Sequence, residues 1–267
     1  MKKILKRIYL DYAATTPVRK EVADLMHQFE RKYFGNPSTI YEEGRKAKFL
    51  LEQARIKASQ ILEVKPEEII FTNGGTESIN LGILGTARYY KEQFKKPRLI
   101  TSKIEHPAVL KAMEQLEKEG LEVIYLNVDK EGIVKLEELK KSLNKETLLI
   151  SIMTANNEIG TIQPINQIGK IIKNFRKKNF FPLFHTDACQ AAGFLDIRPK
   201  ILNVDLLSLN ASKIYGPKGA GLLYKRADLQ LQPLIFGGGQ ENNYRSGTEN
   251  VGAWIGLVKA LELAQKE

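Results

Sequence analysis

The sequence predicts an α/β fold, a three-layer arrangement in which a mainly parallel sheet is flanked by helices. Three observations carry that expectation. From about residue 66, short apolar runs alternate with longer amphipathic ones, the pattern of successive β-α-β units. Each short run is bounded by Gly, Pro, Asn or a charge, which holds it to strand length. The 267 residues, 43% hydrophobic and 27% charged, are enough to bury a sizeable core in one domain, and exclude a disordered tail or a collagen-like repeat.

In chain order, two helical patterns come first, around Val18–Tyr33 and Glu42–Leu62. The turn-forming run Phe34-Gly35-Asn36-Pro37-Ser38 joins them. Strands are expected at Glu68–Thr72, Arg98–Ser102, Glu122–Asn127, Thr147–Met153, Leu183–Thr186, Asp205–Leu209 and Gly221–Tyr224. Pro107–Glu119 puts Val109, Met113 and Leu116 on one helical face, with Pro107 suited to the first helical position. Pro164–Lys178 does the same with Ile165, Ile168, Ile172 and Phe175. After residue 225 the chain becomes loop-like through Phe236-Gly237-Gly238-Gly239-Gln240. A last helical pattern starts near Asn250 and is expected to be still running at Glu267, since no Gly, Pro or cap stops it. Residues 1–65 therefore read as an N-terminal helical arm, 66–249 as the α/β core and 250–267 as the start of a linker helix.

Lys and Arg number 41 against 31 Asp and Glu, a formal charge of +10. The basic clusters Lys2-Lys3-Lys6-Arg7 and Arg176-Lys177-Lys178 are not interleaved with a nucleic-acid-binding motif, so they read as solvated surface and direct nucleic-acid binding is not expected. Lys6 and Arg7 break the apolar run of the first ten residues, which argues against a signal peptide. No segment approaches the roughly 18 apolar residues of a membrane span. The one cysteine, Cys189, forbids an intrachain disulfide and suits a reducing compartment, so a cytoplasmic protein without a membrane partner is expected.

Ligands of an open parallel sheet collect outside the carboxyl ends of its strands, so the polar residues just after each strand carry the functional question. Lys213 follows one strand; a lysine held there in a partly dry site can form an imine with an aldehyde, and an ordinary exposed loop lysine is the alternative. Asp187 ends another apolar run, where it can face a cationic partner such as a pyridinium nitrogen or cap the next turn of chain. Thr72-Asn73-Gly74-Gly75-Thr76-Glu77-Ser78 joins a strand to a helix, and its small residues let backbone N–H groups approach an anion, with the Thr76 hydroxyl as a further donor. It lacks the spacing of a nucleotide-binding P-loop. His106 can stack on a flat ring or move protons, or be a satisfied loop residue. The amides of Asn156-Asn157 can donate to a phenolate oxygen or form a turn. Together these are the parts of a pyridoxal 5'-phosphate site, and no metal is expected in it.

The segments Tyr9-Leu10-Asp11-Tyr12-Ala13-Ala14-Thr15-Thr16-Pro17, Gly75-Thr76-Glu77-Ser78, Glu105-His106, Asn156-Asn157-Glu158-Ile159-Gly160, His185-Thr186-Asp187-Ala188-Cys189-Gln190, Ser212-Lys213-Ile214-Tyr215-Gly216-Pro217-Lys218-Gly219 and Arg245-Ser246-Gly247-Thr248 resemble the cysteine desulfurases of the class V aminotransferase group. They occur in that family's order over nearly the whole chain. The resemblance implies the large domain of a pyridoxal-phosphate-dependent transferase, acting as a homodimer on L-cysteine and passing sulfur to an iron–sulfur scaffold or other acceptor, or to tRNA thiolation. By the same resemblance Lys213 is the Schiff-base lysine and Asp187 the partner of the pyridine nitrogen. His106 stacks on the ring and transfers protons. Asn157 and Gln190 lie near the phenolic oxygen, and Gly75 and Thr76 hold the phosphate. Thr248 reaches the phosphate of the neighbouring subunit.

Two departures from the family pattern matter. Its usual Ser-x-His-Lys run is here Asn210, Ala211, Ser212 and Lys213, so Asn210 and Ser212 are expected to take over phosphate contacts. The family's small C-terminal domain, with its mobile-loop cysteine and a substrate-binding arginine, has no counterpart in the sequence, and Cys189 reads as a core thiol rather than a replacement. Selenocysteine lyase or aminotransferase activity, and a non-catalytic cofactor-binding or interaction subunit, are the alternative expectations.

Overall fold

The computed structural model describes residues 8–266. The Lys2-Lys3-Lys6-Arg7 cluster, most of the first ten residues and Glu267 lie outside the described residues. The N-terminal segment leads into α1 (Lys20–Lys32) and α2 (Glu42–Leu62). Strand β1 (Ile69–Thr72) is followed by α3 (Gly75–Asn80), which passes through one widened π turn at Leu81–Gly85 and continues as α4 (Thr86–Tyr90). Next come β2 (Arg98–Ser102), α5 (Pro107–Lys118), β3 (Glu122–Leu126), α6 (Leu136–Ser142) and β4 (Thr147–Ser151). After these lie α7 (Ile165–Arg176), β5 (Leu183–Asp187), α8 (Pro199–Leu202), β6 (Leu206–Asn210), β7 (Gly221–Lys225) and α9 (Val251–Ala264).

The strands form one sheet in the order β1-β7-β6-β5-β4-β2-β3. Pairings among β2, β3, β4, β5 and β6 are parallel, and β7 runs antiparallel to both β1 and β6. All strands but β7 therefore present their carboxyl ends at the same edge. The reversal of β7 follows from its connection. Only ten residues separate it from β6, with one 3-10 turn (Ala211–Lys213) between them, too short a path for a parallel crossover.

Alternate strand residues serve different helical layers, as the period of two requires. Phe71, Ile100, Ile150, Phe184, Leu207 and Leu222 share a core with α1, α2, α7 and α9. Ile70, Leu99, Leu149, Leu183, Leu206 and Leu223 share one with α3, α4 and α5. Trp254 of α9 is fully buried, stacks on Phe71 at 5.2 Å and donates its indole N–H to Thr72 O at 2.9 Å. That pins the first layer beneath the start of α3.

The last helix runs to Ala264, Gln265 and Lys266 follow as a turn, and Glu267 lies outside the described residues. Gln265 donates its backbone N–H to Leu261 O, and its side-chain amide donates to Ala192 O at 2.7 Å and Leu195 O at 3.2 Å. The short helices α6 and α8 were not among the expected elements.

Candidate active site

A cleft of about 570 Å³ opens at the edge where the parallel strands end. Its lining comes mainly from the ends of β1, β2, β4, β5 and β6 and the turns that follow them. The turn after β1 gives Gly75 and Thr76, that after β2 gives His106, and that after β4 gives Met153, Ala155 and Asn157. Asp187, Cys189 and Gln190 come from β5 and its turn, and Asn210 and Lys213 from β6 and its turn. Asp11, Ala13 and Ala14 close it from the N-terminal segment.

Lys213 and that N-terminal segment are built as a unit. The Lys213 ammonium donates to Ala13 O at 2.7 Å and Ala14 O at 2.6 Å. Thr16 is the clamp. Its N–H and hydroxyl both donate to Ser212 O, at 2.9 and 3.0 Å, while its Oγ1 accepts from the Tyr215 N–H at 2.8 Å. Gln190 adds a bond from its side-chain amide to Ala13 O at 2.8 Å. Gly216 permits the tight turn behind the lysine, since a Cβ there would stand 2.9 Å from Ala211 O.

Asp187 is 6% exposed, and its Oδ1 accepts from the Cys189 N–H at 2.9 Å. No ion pair to it exists among the described residues. Cys189 is buried, with Sγ 3.8 Å from Ser208 O. Burial, with the Asp187 charge adding to it, pushes the thiol well above its ordinary pKa. Gly75 sits directly over this floor. A Cβ there would come within 2.8 Å of Cys189 Sγ and 3.3 Å of Asn210 Cβ, so only glycine lets the start of α3 come down onto the sheet. Arg245, also buried, holds that start from the side by donating to Glu77 Oε1 at 2.9 Å.

His106 is exposed at the mouth of the cleft and caps α5, its Nδ1 accepting from the Ala108 N–H at 3.1 Å. One turn of strand beneath Asp187, His185 is fully buried between Ser151 Oγ (2.8 Å from Nδ1) and Ser208 Oγ (3.0 Å from Nε2). Burial pushes its imidazole down to about 3, so it is neutral. The Ser78 hydroxyl of α3 extends this network, 2.9 Å from Ser208 Oγ and donating to Leu222 O at 2.8 Å.

The structure thus brings Gly75, Thr76, His106, Asn157, Asp187, Gln190, Asn210 and Lys213 around one cleft. Two expected residues stand elsewhere. Ser212 is buried behind Asn210, its N–H and hydroxyl each donating to Asn210 Oδ1 at 3.1 Å. Thr248 is exposed in the turn before α9, away from the cleft lining. Sequence reasoning missed the Ala13 and Ala14 carbonyls, which carry no side-chain signal. It also missed Glu105 and the His185 network, whose importance lies in burial.

The family model for class-V aminotransferases matches residues 8–267. The chain belongs to the class-V aminotransferase family. Its relatives include the cysteine desulfurase IscS of Dictyoglomus turgidum, 52% identical over 97% of this chain and 64% of that protein. The chain therefore spans a little under two thirds of the length of such curated relatives. Among solved structures, a NifS-like protein superposes with a TM-score of 0.93 at 43% identity, covering 98% of this chain and 70% of the other. SspA, solved in complex with cysteine, gives 0.88 at 42% identity, covering 95% and 72%.

The residues fit the pyridoxal 5'-phosphate that the resemblance implies. The cleft volume suits a small ring ligand, a primary amine and a buried carboxylate face the same space, and α3 starts with the cradle that a Cβ at Gly75 would fill. The helical run beyond that cradle continues to Tyr90, so its first N–H groups stand at a positive helix end suited to phosphate.

Proposed function

We propose that this chain holds pyridoxal 5'-phosphate on Lys213 and uses it in the desulfuration of L-cysteine to L-alanine. The observation that carries the reading is the joint placement of Lys213, Asp187, His106 and the Gly75–Thr76 cradle around one cleft. When bound, the cofactor supplies an electron sink beside the substrate's amino group. Lys213 supplies the amine that holds the cofactor's aldehyde, and the Ala13 and Ala14 carbonyls orient that amine. Asp187, a buried carboxyl without a cation of its own, would be the partner of the pyridine nitrogen. Thr76 and the amides near Gly75 bind phosphate, with Asn210 beside them and Ser212 fixing the Asn210 amide. Asn157 and Gln190 hold the phenolic oxygen. His106 and Lys213 move protons at the substrate.

The sulfur acceptor is a thiol other than Cys189. Transfer breaks the substrate C–S bond and makes an S–S bond, RSH plus cysteine giving RSSH plus alanine, and so needs an exposed thiolate. Cys189 is buried, lies beneath Gly75 and has its pKa driven up. Cys189 being the chain's one cysteine, the acceptor belongs to a further segment or another protein, and the sulfur then serves iron–sulfur cluster assembly or tRNA thiolation. The family resemblance supports a homodimer, with Thr248 reaching the partner's phosphate site, and the lone free thiol supports a cytoplasmic location.

Borohydride reduction in the presence of cofactor, followed by peptide mapping, tests the reading. A pyridoxyl adduct on Lys213 that Lys213→Ala abolishes is the expected result, and no adduct on the folded chain overturns it. Cysteine-dependent alanine release, assayed with a thiol-bearing C-terminal domain supplied by a relative, tests the activity; keto-acid formation in its place would indicate an aminotransferase.

A further inference from the structure

Glu105 is a buried group of this region that the proposed chemistry leaves unused. It precedes His106 in the turn between β2 and α5 and is 4% exposed. Its Oε1 accepts from the Ser102 hydroxyl at 2.6 Å, within its own turn, and from the Met153 N–H at 3.0 Å, just past β4. Its Oε2 is buried without a hydrogen-bond partner. The next amide, Thr154 N–H, donates to Asp187 O at 2.8 Å, so consecutive amides of one segment hold the Glu105 side chain and the Asp187 backbone. Asn156 adds a bond from its side-chain amide to Ile104 O at 2.8 Å. His106 Nδ1 accepts from a backbone N–H, and an accepting imidazole nitrogen carries no proton, so the neutral ring keeps its proton on Nε2.

We propose that Glu105 is a positioning residue for His106: its buried carboxyl ties the β2–α5 turn to the chain leaving β4 and so fixes the ring at the mouth of the cleft as the Nε2–H tautomer. The inference rests on the reading of His106 as part of the site. Burial holds the Glu105 carboxyl in its neutral form, its pKa pushed up to about 8. The charged group acting on it is Asp187 of β5; β2 contributes the neutral Ser102 hydroxyl and the chain after β4 the Met153 amide. A neutral acid ties the turn without setting a second anion beside Asp187. Glutamine has the same shape and no charge, and is expected to do the same.

Nitrogen-15 NMR of the histidine rings in the chain without cofactor tests this, because the chain has three histidines, His27, His106 and His185. In the wild type His106 is expected with Nδ1 unprotonated and Nε2 protonated. Glu105→Gln keeps that pattern, while Glu105→Ala moves both shifts toward the average of a free imidazole. His185, held between two serine hydroxyls, reports an intact fold by staying unchanged. The proposal is overturned if His106 keeps its pattern in Glu105→Ala, or if Glu105→Gln disturbs it equally. Should Glu105→Ala fail to fold, Glu105→Asp, one methylene short, decides: an averaged His106 beside an unmoved His185 supports the proposal, and an unchanged His106 overturns it. No cofactor enters this measurement, so failure of borohydride trapping on Lys213 would count against the cofactor reading and leave this result separate.

Discussion

Two regions of the molecule bury acids in opposite ways. Under the β1 edge of the sheet, Glu241 is met bidentately by Arg55, at 2.6 and 2.9 Å, and also accepts from the Phe71 N–H at 2.7 Å. On the strand-start side, Asp205 is held by Arg176 and Arg226. At the cleft, Asp187 and Glu105 are equally buried, yet neither has a Lys or Arg ion pair among the described residues. Glu241 and Asp205 take their cations from the chain, while Glu68, also buried away from the cleft, is held by the Lys65 and Ala227 N–H groups. At the cleft, Asp187 keeps a carboxyl with no cation of its own, as the proposed cofactor site requires, and burial keeps Glu105 neutral. Burying an uncompensated charge costs several kcal/mol, so such a pattern persists only where something else uses it.

The largest expected effect comes from breaking the compensated pair. Arg55→Met leaves Glu241 buried without its cation, and a loss of about 3–5 kcal/mol in urea-unfolding free energy is expected. Asp187→Asn sharpens the contrast. It should leave the unfolding midpoint equal or higher while weakening cofactor binding about a hundredfold, the worth of a desolvated charge pair, read by absorbance titration. A stability loss at Asp187 as large as that at Arg55 would break the comparison.

Glu105 and His185 give the next effect, through pH. Glu105 ionises near its ordinary 4.5 when unfolded and at about 8 when folded, so its contribution is fully present below 4.5 and is lost as pH rises toward 8. His185 shifts the other way. Its folded value of about 3 lies below the unfolded 6.5, so its contribution is present above 6.5 and is lost as pH falls toward 3. Urea midpoints against pH should show the alkaline loss flattened in Glu105→Gln, by on the order of 1–3 kcal/mol at pH 8, with the acid limb unchanged. The smallest effect is at the clamp. Thr16→Val removes the hydroxyl shared by Ser212 O and the Tyr215 N–H, at a cost of about 1–2 kcal/mol, read as a lower thermal midpoint.

Most of the fold was legible in the chain because strand-length apolar runs and helical periodicity are local signals. Six of the seven expected strands lie within one residue of their observed bounds, and β4 stops at Ser151, two residues before the expected Met153. A tertiary contact of α9 is not legible in the same way: nothing in Leu261–Gln265 announces that the Gln265 amide donates to Ala192 O and Leu195 O, some 70 residues away. The candidate site divides in the same way. Lysine, aspartate, histidine and glycine after strands can be read from residue type, whereas the Ala13 and Ala14 carbonyls over Lys213 are backbone groups with no compositional trace.

By itself the sequence determined the layered architecture and the residue types gathered at the strand ends, since hydrophobic period and turn chemistry act over a few residues. Only the tertiary structure decided the placement of Ser212 behind Asn210, the carbonyls that meet Lys213, and the protonation of Glu105 and His185. Each of these depends on which groups lose water and which distant partner replaces it. That is a property of the packed chain, and no local stretch of it holds the answer.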